Sequence, residues 1–347
     1  MLALFGSGAS RCVKADWAEL SAIVSKRGVL SSSDLVRACG LPDDSDHVTV
    51  ADGLTLYPWE GEIAPLSEDE AVQDVGEELA FRAETLGEDY PFEISFSAEK
   101  WKLQLKADTL HAPPSAWIAY RLCLLISGFR LDLIATDNQS HVRSSADCMQ
   151  RLAMFTVEEA IGGGDSYWFG WPRPDGTKTM RAALSVFVDK IGFGVLKGDD
   201  PAWSKRREKD GGVDVIAWKK FRDGRPGALV LYGQVASGKD WDTKPIFNEE
   251  LKASFDDWFA TPPTSHYITA TFIPFMQNEE SACIVGRTYD EIVADEARQQ
   301  EIRHGLLIDR LRIVELASGA EIRKNRSLHN DSVIGPWLTQ SIEIATA

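Results

Sequence analysis

Apolar residues along this chain follow two different spacings. In the first half they recur every three to four positions, which gathers them on one side of a helix. That spacing predicts helices over residues 15–27 and 33–39, meeting near Gly28, an acidic helix from Ser67 to Gly87, and two more over 115–129 and 143–161. Caps support these assignments: Ser31 to Ser33 precede the second helix, Ser67 and Glu70 form a capping box, and Ser115 follows Pro113 and Pro114. The first two helices lie close enough for a helix-turn-helix, although short helix pairs commonly serve packing alone. Alternation occurs over 93–96 and 101–105, which reads as paired strands.

After Gly162, Gly163 and Gly164 the character changes. Residues 167–171 alternate, Pro174-Asp175-Gly176 turns, 177–191 is helical and 193–196 is a short strand. Residues 213–219 and 228–235 then make a hairpin through the turn Asp223-Gly224-Arg225-Pro226-Gly227. A helix over 246–259, a strand over 267–275 and a long helix over 289–317 follow. The whole is an α/β chain with a helix-rich, acidic N-terminal domain (1–162), a mixed-sheet domain (163–285) and a C-terminal helical tail (286–347).

Composition narrows the classes. At 347 residues, 44% of them apolar and 11 of them Trp, the chain has enough apolar surface for more than one core. Its most apolar stretch, 116–129, contains Arg121 and falls short of the roughly 20 residues needed to cross a bilayer. No membrane partner is expected. The five cysteines are scattered and form no C-x-x-C pair, and Met1 to Gly6 lacks the features of a secretory signal, so the expected location is the cytoplasm.

A net charge of -16 argues against a general nucleic-acid coat. The average hides a split, however. Residues 43–93 hold 16 carboxylates and one cation, Arg82, whereas 205–244 hold ten cations against six carboxylates. The acidic half is a candidate surface for a partner protein or a second copy of the chain. In the basic stretch Lys205, Arg206, Arg207, Lys219, Lys220 and Lys244 are candidates for nucleic-acid contact, and Trp203, Trp218 and Trp241 lie among them where they can pack or stack on a base.

The chemistry concentrates in that same stretch. Asp214 stands among Val213, Val215 and Ile216, where an unpaired carboxylate is costly to bury. Hairpin pairing brings Gln234 beside it, so a hard divalent cation between the two oxygens is the natural remedy. The six histidines are not at metal-ligand spacing, and no G-x-S-x-G elbow is present.

Asp210-Gly211-Gly212-x-Asp214, hairpin-linked to a strand bearing Gln234, resembles the Mrr-type restriction endonuclease branch of the PD-(D/E)XK nuclease superfamily. The resemblance spans about residues 177–275 and includes an order of helix, three strands, helix and strand. It implies a restriction-endonuclease-like αβββαβ core with Mg²⁺ or Mn²⁺ held by Asp214, Gln234 and the backbone carbonyl of Val235. The implied activity is phosphodiester hydrolysis, of DNA first and with RNA left open, in prokaryotic restriction or antiviral defence. The family lysine belongs two residues after the glutamine, where this chain has Ala236. Lys239 is the nearest substitute, and the resemblance then assigns it to orienting water or stabilising the pentacoordinate phosphorus. Glu208 and Asp210 are candidates for a second metal, although Asp before Gly-Gly is commonly a turn former.

Two other readings stand beside this one. Without its lysine, the fold serves as a nucleic-acid- or protein-binding module. Alternatively, Gly233 to Lys239 fits most of the phosphate-loop pattern G-x-x-x-x-G-K-[ST] of an NTPase, but Asp240 replaces the Ser or Thr.

Overall fold

The computed structural model describes residues 2–5, 9–39, 48–49, 55–57, 68–97, 100–107, 113–202, 204, 210–244, 246, 255–277 and 289–347. Ser67 of the capping box, Trp203, Lys205, Arg206, Arg207, Glu208 and most of the helix expected over 246–259 lie outside the described residues. The first half contains β1 (Leu2–Ala3), α1 (Arg11–Val24), β2 (Val29–Ser31), α2 (Ser32–Cys39), β3 (Val48–Thr49), β4 (Thr55–Tyr57), α3 (Glu68–Leu86), β5 (Phe92–Ser97), β6 (Lys100–Leu105), α4 (Ser115–Arg130) and α5 (Gln139–Ala160). The second contains β7 (Asp165–Trp168), α6 (Met180–Ile191), β8 (Val195–Leu196), β9 (Val215–Lys220), β10 (Ala228–Val235), β11 (Phe259–Thr261), β12 (Ile268–Phe272), α7 (Tyr289–His304), β13 (Leu306–Ile308), α8 (Arg310–Lys324) and α9 (Ile334–Thr346). Among the described residues no helix is long and apolar enough to cross a membrane.

The central sheet is mixed and runs β7-β9-β10-β12-β13. Strand β9 is antiparallel to both neighbours, while β10, β12 and β13 are parallel. Alternation sets the layers. Ile216, Trp218, Val230 and Tyr232 join Met180, Leu184 and Phe187 of α6 in one cluster. Val215, Ala217, Leu231, Ala270 and Phe272 join Leu152 and Ala153 of α5 and Ile313 and Ala317 of α8 in another. Helices therefore cover the sheet on both faces.

Several expectations are corrected. The stretch 193–196 does not enter the central sheet: β8 pairs with β11 instead, and the outer strand beside β9 is β7. Val195 is 55% exposed, which suits a small external ribbon and not a sheet covered on both faces. The long helix over 289–317 is two helices with β13 between them, because Gly305 (φ +68) turns the chain. A Cβ at Gly305 would lie 2.3 Å from Thr269 Oγ1, so only glycine passes there, and Leu306–Ile308 adds a fifth strand. The first two helices are not a helix-turn-helix, since β2 lies between them and pairs with β6. Ser115 does not cap its helix through its side chain. Its N–H donates to the Glu321 carboxylate of α8 at 2.8 Å, and its hydroxyl accepts from Leu328 N at 2.9 Å.

Packing is continuous across the three glycines. One cluster holds Trp17 and Leu20 of α1, Leu122 and Leu125 of α4, Val215 and Leu231 of the sheet, and Trp337 of α9. Charge in the acidic half also turns inward. Arg82, the one cation of residues 43–93, is fully buried and donates to Asp16 and Glu19 at 2.8 Å and to Glu78 at 2.9 Å. Arg310, at the start of α8, grips Asp16 through two bonds of 2.6 and 2.7 Å and donates to Pro274 O. Burial alone would raise the Asp16 pKa, but the guanidiniums of Arg310 and Arg82 hold it at about 2. Glu19 moves the other way: burial and the nearby Asp16 charge raise it despite Arg82, while Tyr90 and Tyr120 donate to it.

Candidate active site

Two short turns deliver Asp214 to the end of the sheet. Asp210 Oδ1 accepts from Gly212 N, and Val213 N donates to Asp210 O at 3.1 Å, so Asp210 acts as a turn former. Its other carboxylate oxygen accepts from Trp171 N at 3.2 Å, which ties in the loop that leaves β7. That loop passes close by, for a Cβ on Gly170 would meet Asp214 Oδ1 at 2.5 Å.

Asp214 is held at nearly every polar atom. Its N–H donates to Gly233 O at 2.8 Å. Its carbonyl accepts three bonds: from Phe169 N at 2.8 Å, Gly170 N at 2.7 Å and Gln150 Nε2 at 2.8 Å. Oδ2 accepts from Val235 N at 2.8 Å. Among the described residues no donor reaches Oδ1. Burial, helped by the Asp210 charge and only partly offset by the Val235 N–H, pushes the carboxyl pKa up to about 7.

Gln234 is the next position on β10 after Gly233, which pairs with Val215. The antiparallel hairpin thus sets it beside Asp214, as the alternation of the sequence predicts. Its Oε1 is sealed from solvent and, among the described residues, has no hydrogen-bond partner. A buried amide oxygen without a donor costs about 1–3 kcal/mol, so this oxygen is open to a bound water or a cation. Among the described residues no group of three or more His, Cys, Asp or Glu side chains converges. The donor set that fits a cation is one carboxylate, one amide oxygen and main-chain or substrate oxygens, which suits a hard ion such as Mg²⁺ or Mn²⁺.

The remaining candidates scatter. Lys239 lies on an exposed turn five residues beyond Gln234, and among the described residues nothing pairs with its ammonium. Ala236, where the resemblance led to the expectation of a lysine, is buried with Trp241, Ile273, Phe275 and Leu307. Lys244 bonds Asp240 at 2.9 Å. Lys219 and Lys220 sit at the opposite end of β9 from Asp214, where their ammoniums donate to Gly162 O and Lys190 O. Both serve the ends of helices, which carry unpaired carbonyls and partial negative charge. Trp218 and Trp241 are buried and unavailable for stacking, whereas Trp171, on the loop beside Asp210, is 40% exposed. Nor does Gly233 to Lys239 form a phosphate cradle. Residues through Val235 are strand, Ala236 N continues the ladder to Phe272 O, and a single 3-10 turn, Trp241–Thr243, follows.

Sequence reasoning missed Gln150 and the 169–171 loop. Gln150 did leave one trace, a polar side chain at a position flanked by Cys148, Met149, Leu152 and Ala153, all fully buried. Comparison with family models, with curated proteins and with solved structures finds no match for this chain.

Proposed function

We propose that this chain is a metal-dependent nuclease with a restriction-endonuclease-like core that hydrolyses phosphodiester bonds, with DNA as substrate. One observation carries the reading: where β9 and β10 meet, Asp214, just before β9, and Gln234 on β10 stand side by side, and among the described residues no donor reaches Asp214 Oδ1 or Gln234 Oε1. The spatial order β7-β9-β10-β12 supports it, with three antiparallel strands followed by a parallel one and α5 packed on the sheet, although α6 and β8 intervene in the chain between β7 and β9, and β7 stands where 193–196 was expected. The setting inferred from the Mrr-type resemblance is prokaryotic restriction or antiviral defence.

Each side chain has a distinct task. Asp214 provides the anionic oxygen and must lose its proton to do so. Gln234 provides a neutral oxygen, so the pair carries one negative charge and leaves the rest of the balance to substrate phosphate. When bound, Mg²⁺ or Mn²⁺ supplies positive charge to the phosphate oxygens and acidifies a water. Lys239, on its exposed turn, presents an ammonium to the arriving backbone and offsets charge on the phosphorus oxygens.

The test is cleavage of plasmid, single-stranded DNA and RNA with Mg²⁺ or Mn²⁺. Wild type cuts; Asp214→Asn and Lys239→Ala each lose about a hundredfold or more. A second reading, a binding module, is favoured by Ala236 standing where the family has lysine. Salt-sensitive DNA binding by a chain that never cuts would establish it in place of the nuclease.

A further inference from the structure

Helix α5 buries four polar side chains: His141, Ser145, Gln150 and Thr156. Three of them are satisfied by helices. The hydroxyls of Ser145 and Thr156 donate to carbonyls of α5 itself, and His141 meets Gln340 and Ser341 of α9. Gln150 alone reaches across to the sheet, and the atom it selects is the main-chain carbonyl of Asp214, 64 residues away. That carbonyl already accepts from two consecutive amides of the 169–170 loop. A strand carbonyl is satisfied by one ladder donor, so stability alone does not call for a third. Burying an amide in an otherwise apolar helix–sheet contact also carries a desolvation cost that Met or Leu would avoid.

Three donors on one carbonyl, arriving from the loop and from the helix behind the sheet, fix the plane of the peptide that follows Asp214. With Asp214 N bonded to Gly233 O as well, the backbone on both sides of its Cα is set, and with it the direction in which the carboxyl leaves the chain. Preorganisation of this kind governs how well a ligand oxygen meets a cation. We infer that Gln150 is a positioning residue that reaches through the sheet to hold the Asp214 carboxyl in place for a divalent cation. The inference rests on the proposed nuclease site.

The experiment measures Mn²⁺ binding to the chain without nucleic acid, for wild type and for Gln150→Met, which keeps the length and removes the donor. Loss of one hydrogen bond predicts a five- to tenfold weaker Mn²⁺ affinity, at about 1 kcal/mol per bond. Amide exchange at Phe169 and Gly170 should quicken, while the melting temperature stays near that of wild type. Unchanged Mn²⁺ affinity in Gln150→Met, with wild type binding normally, overturns the positioning role and leaves the nuclease reading intact. Failure of wild type itself to bind Mn²⁺ or Mg²⁺, both alone and with a phosphorothioate DNA duplex that supplies phosphate, removes the nuclease reading beneath it. Should Gln150→Met not fold, a Mg²⁺ titration of wild type followed by NMR decides: the Gln150 side-chain amide and the Gly170 N–H must shift together, and stationary signals overturn the inference.

Discussion

At Asp214 the needs of folding and of the proposed cation site oppose each other. A carboxyl this poorly supplied with donors binds its proton more tightly in the fold, at a pKa of about 7, than in the unfolded chain near 3.8. The stability it contributes is therefore complete below about pH 3.8 and is lost as pH rises through about 7. Melting followed from pH 4.5 to 8 without divalent ions should show that decline, and Asp214→Asn should flatten it; an unchanged slope in the variant would assign the decline to other groups. Gly170→Ala tests the same site by crowding. Its Cβ would lie 2.5 Å from Asp214 Oδ1 and 3.1 Å from Asp214 Cα, so a loss of about 1–3 kcal/mol in urea unfolding is expected, together with impaired cleavage. Ala236→Lys, which puts a lysine where the proposed resemblance expects one, should also unfold more readily, because an ammonium there enters the cluster of Trp241, Ile273, Phe275 and Leu307. Asp214 and Gln234 were legible in sequence because strand alternation and a short hairpin loop fix their relation. Gln150 was not, since its partner lies 64 residues on and a buried amide looks in sequence like any polar interruption of an apolar face.

Among elements, legibility followed the range of the forces involved. The hairpin of β9 and β10 was readable from its own turn, and α4 from its own apolar run. A strand was expected over 167–171, overlapping β7, but the place beside β9 was given to 193–196, because the two short stretches compete for it and only tertiary packing decides between them. The helix expected over 289–317 failed because Leu306, Leu307 and Ile308 suit a helix as well as a buried strand. Gly305 settles the matter through its left-handed φ and its contact with Thr269. Gly305→Ala should therefore cost more than about 1 kcal/mol in equilibrium unfolding. An exposed helical glycine gains stability from the same change, so a gain here would contradict the turn.

On the scale of the whole molecule, the acidic N-terminal half and the sheet share one core, with Arg82 and Arg310 as its charged centre. Arg310→Met would leave Asp16 buried with one arginine fewer, and a loss of about 3–5 kcal/mol is expected in urea unfolding. Asp16→Asn in the same chain should recover part of that loss, and strict additivity of the two changes would show that the pair is not coupled. Removing residues 1–162 strips α1, α4 and α5 from Val215, Ala217 and Leu231, so the remainder should aggregate instead of cutting independently. Lys219 and Lys220 complete the picture. Being consecutive in a strand, they leave it on opposite sides, one buckling the tail of α5 and the other the tail of α6 to the same end of β9. The sheet is thereby stapled at the end remote from Asp214, which leaves any adjustment to the proposed substrate to the loops at the other end.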